Sequence, residues 1–355
     1  MIRCLAFSDR GMELARRIAG ALGGSAFRSG DPLRGAEWTK KYFSRSEALI
    51  FVGSCGIAVR MTAPLLRSKA EDPAVVVIDE RGRFVIPVLS GHLGGANDLA
   101  RRIAGLTGGT AVLTTATDVT GTFAVDSWAR IHNASVLNPR RILPFSRKLL
   151  SGASAVLASR FPFQGTAPAG IRLTGMDSED RNEDPDSVPD AVLDYGFLPG
   201  FPPAGGNVRG AEPLLLVPRV LTLGIGCRRG VSAEQIEEQY RKFLEHTGLR
   251  EEAFRLAASI DLKQGERGLL TFCQRHHLKS CFYSPDRLRQ VTGVRSSSDF
   301  VKEVTGVDNV CERAAVLAAS SGAGPGELIA EKFPGNGVTL AAAAMHYAPD
   351  WRDHE

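Results

Sequence analysis

The sequence predicts an α/β protein of two three-layer α/β/α domains with mostly parallel sheets, joined by a polar, loop-rich connector. Apolar runs rich in β-branched residues, typical of buried strands, alternate with amphipathic helical segments up to about residue 140. The alternation returns at Leu221, and between these regions prolines, glycines and acidic residues interrupt it. We therefore predict an N-terminal α/β domain at 1–140, a variable linker or middle region at 141–220 and a C-terminal α/β domain at 221–355.

The N-terminal elements follow from short apolar runs and their flanking turns. A strand at 2–7 (IRCLAF) leads into a helix from Asp9, whose stripe of Met12, Leu14, Ala15, Ile18 and Ala19 has the helical period. A short turn at 80–82 separates two apolar runs. Further strands are predicted at 48–52, 74–79, 83–89 and 110–115, and further helices at 57–66 and 95–106.

The C-terminal elements carry clearer boundary signals. The strand LTLGIG begins at Leu221, and Ser232 with Gln235 forms a capping box that opens the helix AEQIEEQYRKFLEH. Strands are also predicted at 257–262, 278–283, 328–333 and 337–345, and helices at 265–276, from Ser284-Pro285 and at 310–319.

The connector is the acidic part of the chain. Eight carboxylates lie between Asp177 and Asp194 with only Arg181 among them. Such runs are usually solvated, so we predict a linker or small insert here rather than an interaction segment.

Composition excludes several classes of protein. With 355 residues, 43% hydrophobic and 23% charged, the chain is neither disordered nor fibrous. No apolar run approaches the roughly 18 residues of a membrane helix, and Asp9 and Arg10 interrupt any signal-peptide core. The six cysteines are scattered without a C-x-x-C pair, which predicts reduced thiols and a cytoplasmic location.

The positive charge is concentrated at the N-terminal end. Residues 1–150 contain 21 Lys and Arg against 12 Asp and Glu, which favours an anionic partner such as nucleic acid or a polycarboxylate. Zinc-finger spacing, a recognition helix and an array of stacking aromatics are all absent. We therefore expect a small-molecule partner and neither nucleic acid nor a membrane.

Three glycine-rich turns each follow a predicted strand and precede a predicted helix. In open α/β sheets such turns lie at the carboxyl edge of the strands, where ligands bind, so we expect the three to converge on one cleft lined by positive side chains. They are Gly53-Ser54-Cys55-Gly56, then Ser90-Gly91-His92-Leu93-Gly94-Gly95-Ala96-Asn97-Asp98, and Gly224-Ile225-Gly226-Cys227-Arg228-Arg229-Gly230.

The middle turn has the strongest potential for catalysis. It combines the His92 imidazole, the Asn97 amide and the Asp98 carboxylate with the backbone N–H groups of residues 94–97. We predict that His92 moves a proton while these N–H groups bind an oxyanion. The alternative is a turn in which Asn97 or Asp98 only caps the helix.

The third turn is a poor nucleotide motif. Its spacing is G-x-G-x-x-x-G, no acidic residue follows about twenty residues later, and it lacks the ending of a phosphate-binding loop. Arg228 and Arg229 are suited to binding carboxylates, although two solvated arginines are equally consistent with the pattern.

The cysteines and histidines allow two further hypotheses. Cys273, His276, His277 and Cys281 have roughly the spacing of metal ligands, but Cys273 lies on an apolar helix face and Cys281 in a strand, which disfavours zinc. Cys55, at a predicted helix start, is either a nucleophile or a small buried residue, and the second is favoured.

Residues 48–104, from ALIFVGSCGIAVRM to VLSGHLGGANDLARRIA, resemble the N-terminal domain of the CbiG family of cobalamin biosynthesis. The strings LGIGCRRGVSAEQIEE (223–238), ASIDLKQGERGLLTF (258–272), VCERAAVLAA (310–319) and EKFPGNGVTLAAA (331–343) resemble the C-terminal domain of the same family. Together these regions cover more than half of the chain.

The resemblance implies a cobalt-precorrin-5A hydrolase of the anaerobic pathway. Such an enzyme opens the δ-lactone between the ring A acetate and C20 and releases C20 with its methyl group as acetaldehyde, giving cobalt-precorrin-5B. No organic cofactor is implied, because the substrate carries the cobalt and its macrocycle can accept electrons. Neighbouring corrin-pathway enzymes are possible partners, and the oligomeric state is left open.

On this basis we assign candidate roles. His92, as the base, Asn97 and Asp98 are the predicted catalytic residues. The predicted substrate-binding residues are Gly53, Cys55, Gly56, Arg60, Ser90, Gly91, Gly94, Gly95, Gly224, Gly226, Cys227, Arg228 and Arg229. The alternative function is a non-catalytic tetrapyrrole carrier of the same pathway, and the glycine spacing disfavours a nucleotide-dependent oxidoreductase.

Overall fold

The described part of the chain folds around three β-sheets. The computed structural model describes residues 1–68, 71–176, 189–196, 212–320 and 324–352. A six-stranded sheet is followed by two five-stranded sheets. We call the parts of the chain that form them the N-terminal unit (1–111), the middle unit (116–218) and the C-terminal unit (221–344).

The strands and helices are short and evenly distributed. The strands are β1 (Ile2–Ala6), β2 (Ser25–Arg28), β3 (Ala48–Val52), β4 (Ala74–Ile78), β5 (Phe84–Leu89), β6 (Thr110–Ala111), β7 (Ala134–Val136), β8 (Ala155–Ser159), β9 (Ile171–Gly175), β10 (Ala191–Leu193), β11 (Leu214–Pro218), β12 (Leu221–Cys227), β13 (Phe254–Ile260), β14 (Lys279–Tyr283), β15 (Glu327–Gly335) and β16 (Val338–Ala344). The α-helices are α1 (Asp9–Ala21), α2 (Gly35–Tyr42), α3 (Cys55–Thr62), α4 (Ala96–Thr107), α5 (Ala116–Thr120), α6 (Val125–Ile131), α7 (Ile142–Leu150), α8 (Ala233–Thr247), α9 (Arg267–Arg275), α10 (Pro285–Arg289), α11 (Asp299–Thr305) and α12 (Val310–Ala319). Within the described ranges, no helix has the length and apolar character needed to cross a bilayer.

The N-terminal unit has helices on both faces of its sheet. The strand order is β2-β1-β3-β4-β5-β6, and β1 to β4 run parallel. Ile18 of α1 and Ile103 of α4 pack on one face, and Trp38 of α2 and Ala58 of α3 on the other. Strands β3 and β4 are buried throughout, as their apolar sequences predict. The predicted three-layer arrangement is confirmed here.

Strand β5 reverses the direction of the sheet. It pairs antiparallel with β4, and the two are joined by a tight turn whose Gly82 N–H donates to the Asp79 carbonyl. The Asp79 carboxylate accepts from the N–H groups of Arg81, Arg83 and Phe84 and so closes the turn. A connection this short cannot carry the chain back to form a parallel strand. The carboxyl end of β5 therefore lies at the amino edge of β1, β3 and β4.

The middle region is not the polar connector that we predict. It contains a sheet of order β7-β11-β10-β8-β9, in which β11, β10, β8 and β9 run parallel. Trp128 of α6 and Phe145 of α7 pack against Leu157, Leu193 and Leu214 in its core. The prediction is wrong because the apolar strands are short and separated by long polar segments. The domain boundaries at 140 and 220 stay predictions, although β7 already belongs to the middle sheet. Of the acidic run, 177–188 lies outside the described residues.

Trp128 provides a test of the middle unit as a folded core. Its ring is fully buried, and its Nε1–H donates to the Asp350 carbonyl at 2.7 Å. We expect Trp128→Ala to lower the free energy of unfolding by about 3–5 kcal/mol, the usual cost of deleting a large buried aromatic. Chemical denaturation measures this. Leu143→Ala on α7, where the side chain is 55% exposed, is the control and should change stability little. Equal stability of both variants and the native chain would indicate an unstructured connector.

The C-terminal unit is a mixed sheet of order β14-β13-β12-β16-β15 with helices on both faces. Strands β12, β13 and β14 are parallel, whereas β16 and β15 are antiparallel. Helices α8 and α9 cover one face and α12 the other. The predicted capping box is present, because Ser232 Oγ accepts from Gln235 N and the Gln235 side chain accepts from Ser232 N. The second predicted three-layer α/β domain is thereby confirmed.

Candidate active site

His92 lies in the turn between β5 and α4, where it faces two carboxylates. Its Nε2 is 3.0 Å from Asp118 Oδ2, and its Nδ1 is 3.3 Å from Asp126 Oδ1. The side chains of His92, Asp118 and Asp126 are 12%, 9% and 12% exposed. The imidazole is thus held in a polar, mostly buried cluster and is not enclosed by hydrocarbon.

Several donors converge on the Asp118 carboxylate. His92 Nε2 and Asn97 Nδ2 approach its Oδ2 at 3.0 and 2.8 Å, and Arg101 Nη2 donates to its Oδ1 at 2.5 Å. Asn97 Nδ2 also donates to Thr115 Oγ1 at 3.1 Å. Asn97 and Arg101 both lie on α4. They reach the same carboxylate because residues four apart lie on one face of a helix.

Asp98 belongs to the same cluster but does not contact His92. Its carboxylate pairs with Arg101 Nη1 at 2.8 Å and with the Arg130 guanidinium. The N-cap of α4 is Gly95, with a φ of 78°, so neither Asn97 nor Asp98 caps the helix. Asp98 therefore orients the arginine that holds Asp118.

The charges of the cluster stabilise a protonated imidazole. Burial alone would lower the pKa of His92, but the hydrogen bonds and charges of Asp126 and Asp118 outweigh it and raise that pKa above its ordinary value of 6.5. Burial would raise the pKa of Asp118, whereas His92 and Arg101 lower it below its ordinary value of 3.8. The cluster thus favours the imidazolium form of His92, in which each ring nitrogen faces a carboxylate.

This protonation state makes stability depend on pH. The favourable contribution of His92 is complete below the unfolded-state pKa and is lost as the pH rises through the raised folded-state pKa. We expect the difference in unfolding free energy between the native chain and His92→Gln to be largest near pH 6 and to shrink steadily toward alkaline pH. Denaturant titrations from pH 6 to 9 measure it. A difference that is constant over this range would mean that His92 is not charged in the folded chain.

Three of the four backbone N–H groups that we predict as oxyanion donors are used within the turn itself. The Gly95 N–H donates to the His92 carbonyl, the Ala96 N–H to Ser90, and the Asn97 N–H to Gly91, at 2.9 to 3.1 Å. These three donors are consumed in closing the turn, which corrects the prediction for residues 95–97. Ser90 has a φ of 55°, and its Oγ donates to the Asp72 carbonyl, which fixes the turn beside the start of β4.

The three glycine-rich turns do not converge, and that prediction is also wrong. The Gly53 N–H donates to the Ile78 carbonyl at the end of β4, so Gly53, Cys55 and Gly56 lie at the carboxyl edge of the N-terminal sheet. The His92 turn lies at the amino edge because β5 is antiparallel. The five residues of β4 separate the two edges by roughly 15 Å. Arg60 is exposed in the last turn of α3.

The predicted third turn is mostly strand. Gly224, Gly226 and Cys227 lie in β12, and only residues 228–230 form the turn, with Arg228 and Arg229 exposed. A Cβ on Gly224 would lie 1.8 Å from the Cys311 carbonyl oxygen, so this glycine allows α12 to pack closely on the sheet. Among the described residues, no hydrogen bond or ion pair joins this segment to the His92 cluster.

The remaining thiols and histidines occupy separate places. Cys55 is half-buried at the start of α3, and burial raises the pKa of Cys227 to about 11, which disfavours its thiolate. His276 pairs with Glu237 and Glu251 on the C-terminal unit. The described ranges contain no group of three or more His, Cys, Asp and Glu side chains suited to a metal ion.

Sequence reasoning missed Asp118, Asp126, Arg101 and Arg130. Arg101 lies on α4, just after the turn motif. Asp118 lies on α5, and Asp126 and Arg130 lie on α6, which are short helices of the middle unit. The string TATDVTGTFAVDSWAR offers a weak signal, because two acidic residues there interrupt an otherwise small and apolar segment.

Two family models match the chain in order. The model described as "Cobalamin synthesis G N-terminal" matches residues 37–118, and the one described as "Cobalamin synthesis G C-terminus" matches residues 221–343. The His92 turn and Asp118 fall within the first match.

Two curated relatives resemble most of the chain, and a third resembles part of it. A protein named cobalt-precorrin-5A hydrolase from Salmonella typhimurium is 34% identical over 351 residues, covering 95% of this chain and 95% of the relative. One of the same name from Priestia megaterium is 32% identical and covers 86% of this chain and 80% of its own. Protein CobE from a Sinorhizobium species is 30% identical over 35% of this chain and 79% of its own length.

Proposed function

The chain belongs to the cobalamin synthesis G family, CbiG, and from this premise we propose that it acts as a cobalt-precorrin-5A hydrolase. The observation that carries the proposal is the similarity to two proteins of that name over 86% and 95% of this chain. The predicted carrier function is not favoured, because these relatives are named as hydrolases. Within the reaction, we propose that the enzyme opens the δ-lactone of the substrate and then releases acetaldehyde.

The His92 cluster is the centre at which we place the proton transfers. A lactone needs a proton on its leaving oxygen when the ring opens, and a mostly buried imidazolium is a suitable donor. Because both ring nitrogens of His92 face carboxylates, its first transfer is donation, which changes the base role expected from the sequence. Asp126 fixes the orientation of the ring through Nδ1, so Nε2 is the nitrogen directed to substrate.

Lactone opening then follows in one hydrolytic step. Water adds to the carbonyl carbon, the bond from that carbon to the ring oxygen breaks, and the leaving oxygen takes the proton of His92 Nε2. The products are a free acetate group on ring A and a hydroxyl group on C20. The water oxygen stays in the acetate, both of its protons pass to solvent as the tetrahedral intermediate collapses and the acetate ionises, and His92 is left neutral.

Neutral His92 can now act as the base that the sequence predicts. It removes the proton of the C20 hydroxyl, a carbonyl forms on C20, and the bond from C20 to the macrocycle breaks. The electron pair of that bond enters the conjugated macrocycle, and C20 leaves with its methyl group as acetaldehyde. One water is consumed, and the imidazolium is restored. No organic cofactor is required in this scheme, because the substrate supplies both the cobalt and the electron sink.

The other predicted substrate-binding residues have a more limited part in the proposal. Gly91 and Gly94 shape the turn that carries His92, since a Cβ on either would lie within 3 Å of Asn97 or Ser90. The Gly53 turn and Arg60 lie away from this centre, and so do Arg228 and Arg229. We assign these arginines at most a role in attracting the many carboxylates of the substrate.

The setting of the enzyme is proposed on the same basis. All six cysteines are free thiols, which supports a reducing, cytoplasmic compartment. Direct transfer of the unstable tetrapyrrole to neighbouring corrin-pathway enzymes fits this setting.

The proposed function is tested with the purified chain and cobalt-precorrin-5A under anaerobic conditions. We expect acetaldehyde to be released in a ratio of one to one with the substrate consumed, which trapping as a hydrazone measures. A reaction without protein is the control. Binding of the tetrapyrrole with no acetaldehyde above that control would favour the carrier function instead.

A further inference from the structure

We propose that the Asp118 carboxylate occupies the position of the lactone O–C=O group of the substrate and is displaced when the substrate binds. This inference rests on the proposed function and identifies the groups that would bind the reacting ester. A carboxylate and an ester share the same planar arrangement of two oxygens on one carbon. The donors that surround Asp118 therefore have the geometry that a lactone requires.

The donors match the two oxygens of an ester separately. His92 Nε2 and Asn97 Nδ2 approach Asp118 Oδ2, and Arg101 Nη2 approaches Oδ1. With the substrate in this position, the ring oxygen lies at His92, where it is protonated on leaving. The carbonyl oxygen lies at Arg101, which stabilises the negative charge that develops there. These side chains replace the backbone N–H groups that the turn consumes.

The two carboxylates that face His92 are anchored very differently. Asp126 lies on α6 beside Val125, Trp128 and Ala129, all of which are buried in the core of the middle unit. Asp118 lies on α5, a helix of five residues in which only Thr117 is buried and Val119 is 70% exposed. Gly121, with a φ of 66°, follows this helix. Moving Asp118 therefore disturbs little packing, whereas moving Asp126 disrupts a core.

The charge balance of the cluster also favours exchange with an anion. With Asp118 present, the cations His92, Arg101 and Arg130 are balanced by three carboxylates, the other two being Asp98 and Asp126. Removal of Asp118 leaves one positive charge in excess around a space of carboxylate shape. The acetate formed by lactone opening would bind in this space, and the return of Asp118 would expel it.

The first test uses acetate as a probe of the vacated donors. We expect Asp118→Ala to be stabilised by acetate but not by acetamide, with a rise in melting temperature that the native chain does not show. Asp118→Asn serves if the alanine variant folds poorly, because its amide is held less strongly by the cations. Asp118→Ala combined with Arg101→Met is the matched control, since the vacated space then lacks the donor to one of the two oxygens, and acetate should no longer raise the melting temperature selectively.

The second test is kinetic. We expect Asp118→Ala to lower KM for cobalt-precorrin-5A by roughly tenfold, because the substrate no longer competes with an internal charge-assisted hydrogen bond. Acetate should then inhibit the variant more strongly than the native enzyme. A raised KM, or the absence of an acetate effect while the native chain releases acetaldehyde, would overturn the displacement of Asp118. Failure of the native chain to release acetaldehyde would instead overturn the proposed function.

Discussion

Replacing His92 by alanine is expected to lower kcat for acetaldehyde release by about 10²- to 10⁴-fold, the usual contribution of a positioned acid or base. The variant loses both the proton donor for lactone opening and the base for carbon–carbon cleavage. Asp118 and Asp126 would also face each other without the intervening cation. Acetaldehyde trapping and the consumption of cobalt-precorrin-5A measure the two steps separately.

The chain contains a matched control for this variant. His276 also pairs both ring nitrogens with carboxylates, those of Glu237 and Glu251, but it lies on the C-terminal unit. Its pKa is raised as well, since burial, which lowers it, is outweighed by these two partners. His276→Ala should leave acetaldehyde release close to the native rate. Full activity of His92→Ala, or an equal loss in both variants, would refute the assignment of His92.

Replacing Gly224 by alanine is expected to destabilise the C-terminal unit by at least about 3 kcal/mol. The added Cβ would lie 1.8 Å from the Cys311 oxygen and 2.9 Å from the Ala315 Cβ, so α12 and the sheet would have to separate. The atoms it meets include backbone, which cannot rotate away as a flexible side chain does. Urea unfolding of the whole chain measures the loss.

Gly265→Ala is the control in the same unit. A Cβ at this position meets nothing within 4 Å, and we expect little change in stability. If Gly224→Ala were instead as stable as the native chain and only weakened substrate binding, the ligand role predicted from its sequence would be favoured over the packing role. The two outcomes thus separate a glycine needed by a neighbouring helix from one needed by a substrate.

The position of the His92 cluster follows from the one antiparallel pair in the N-terminal sheet. A parallel β5 would bring His92 to the same edge as Gly53 and Cys55. The tight turn after Asp79 sends β5 back and carries His92 to the opposite edge, beside the helices of the middle unit. The short spacing between the apolar runs at 74–79 and 83–89 was the sequence signal for this reversal, because only an antiparallel pair can be joined by so few residues.

The sequence by itself determined those features of the protein that depend on residues close together in the chain. Apolar period, the capping box at Ser232 and the glycine-bounded strand ends predict the elements of the outer units, because each depends on residues within one or two turns. The quoted strings predict the family in the same way, and they include His92. Tertiary structure alone decided which groups face that imidazole. Asp118 and Asp126 reach it across 26 and 34 positions of chain. The middle sheet likewise depends on distant pairing, such as that of Leu216 with Val136, which lies 80 positions earlier. Such contacts depend on the packing of residues from many parts of the chain. A short sequence pattern therefore cannot predict them.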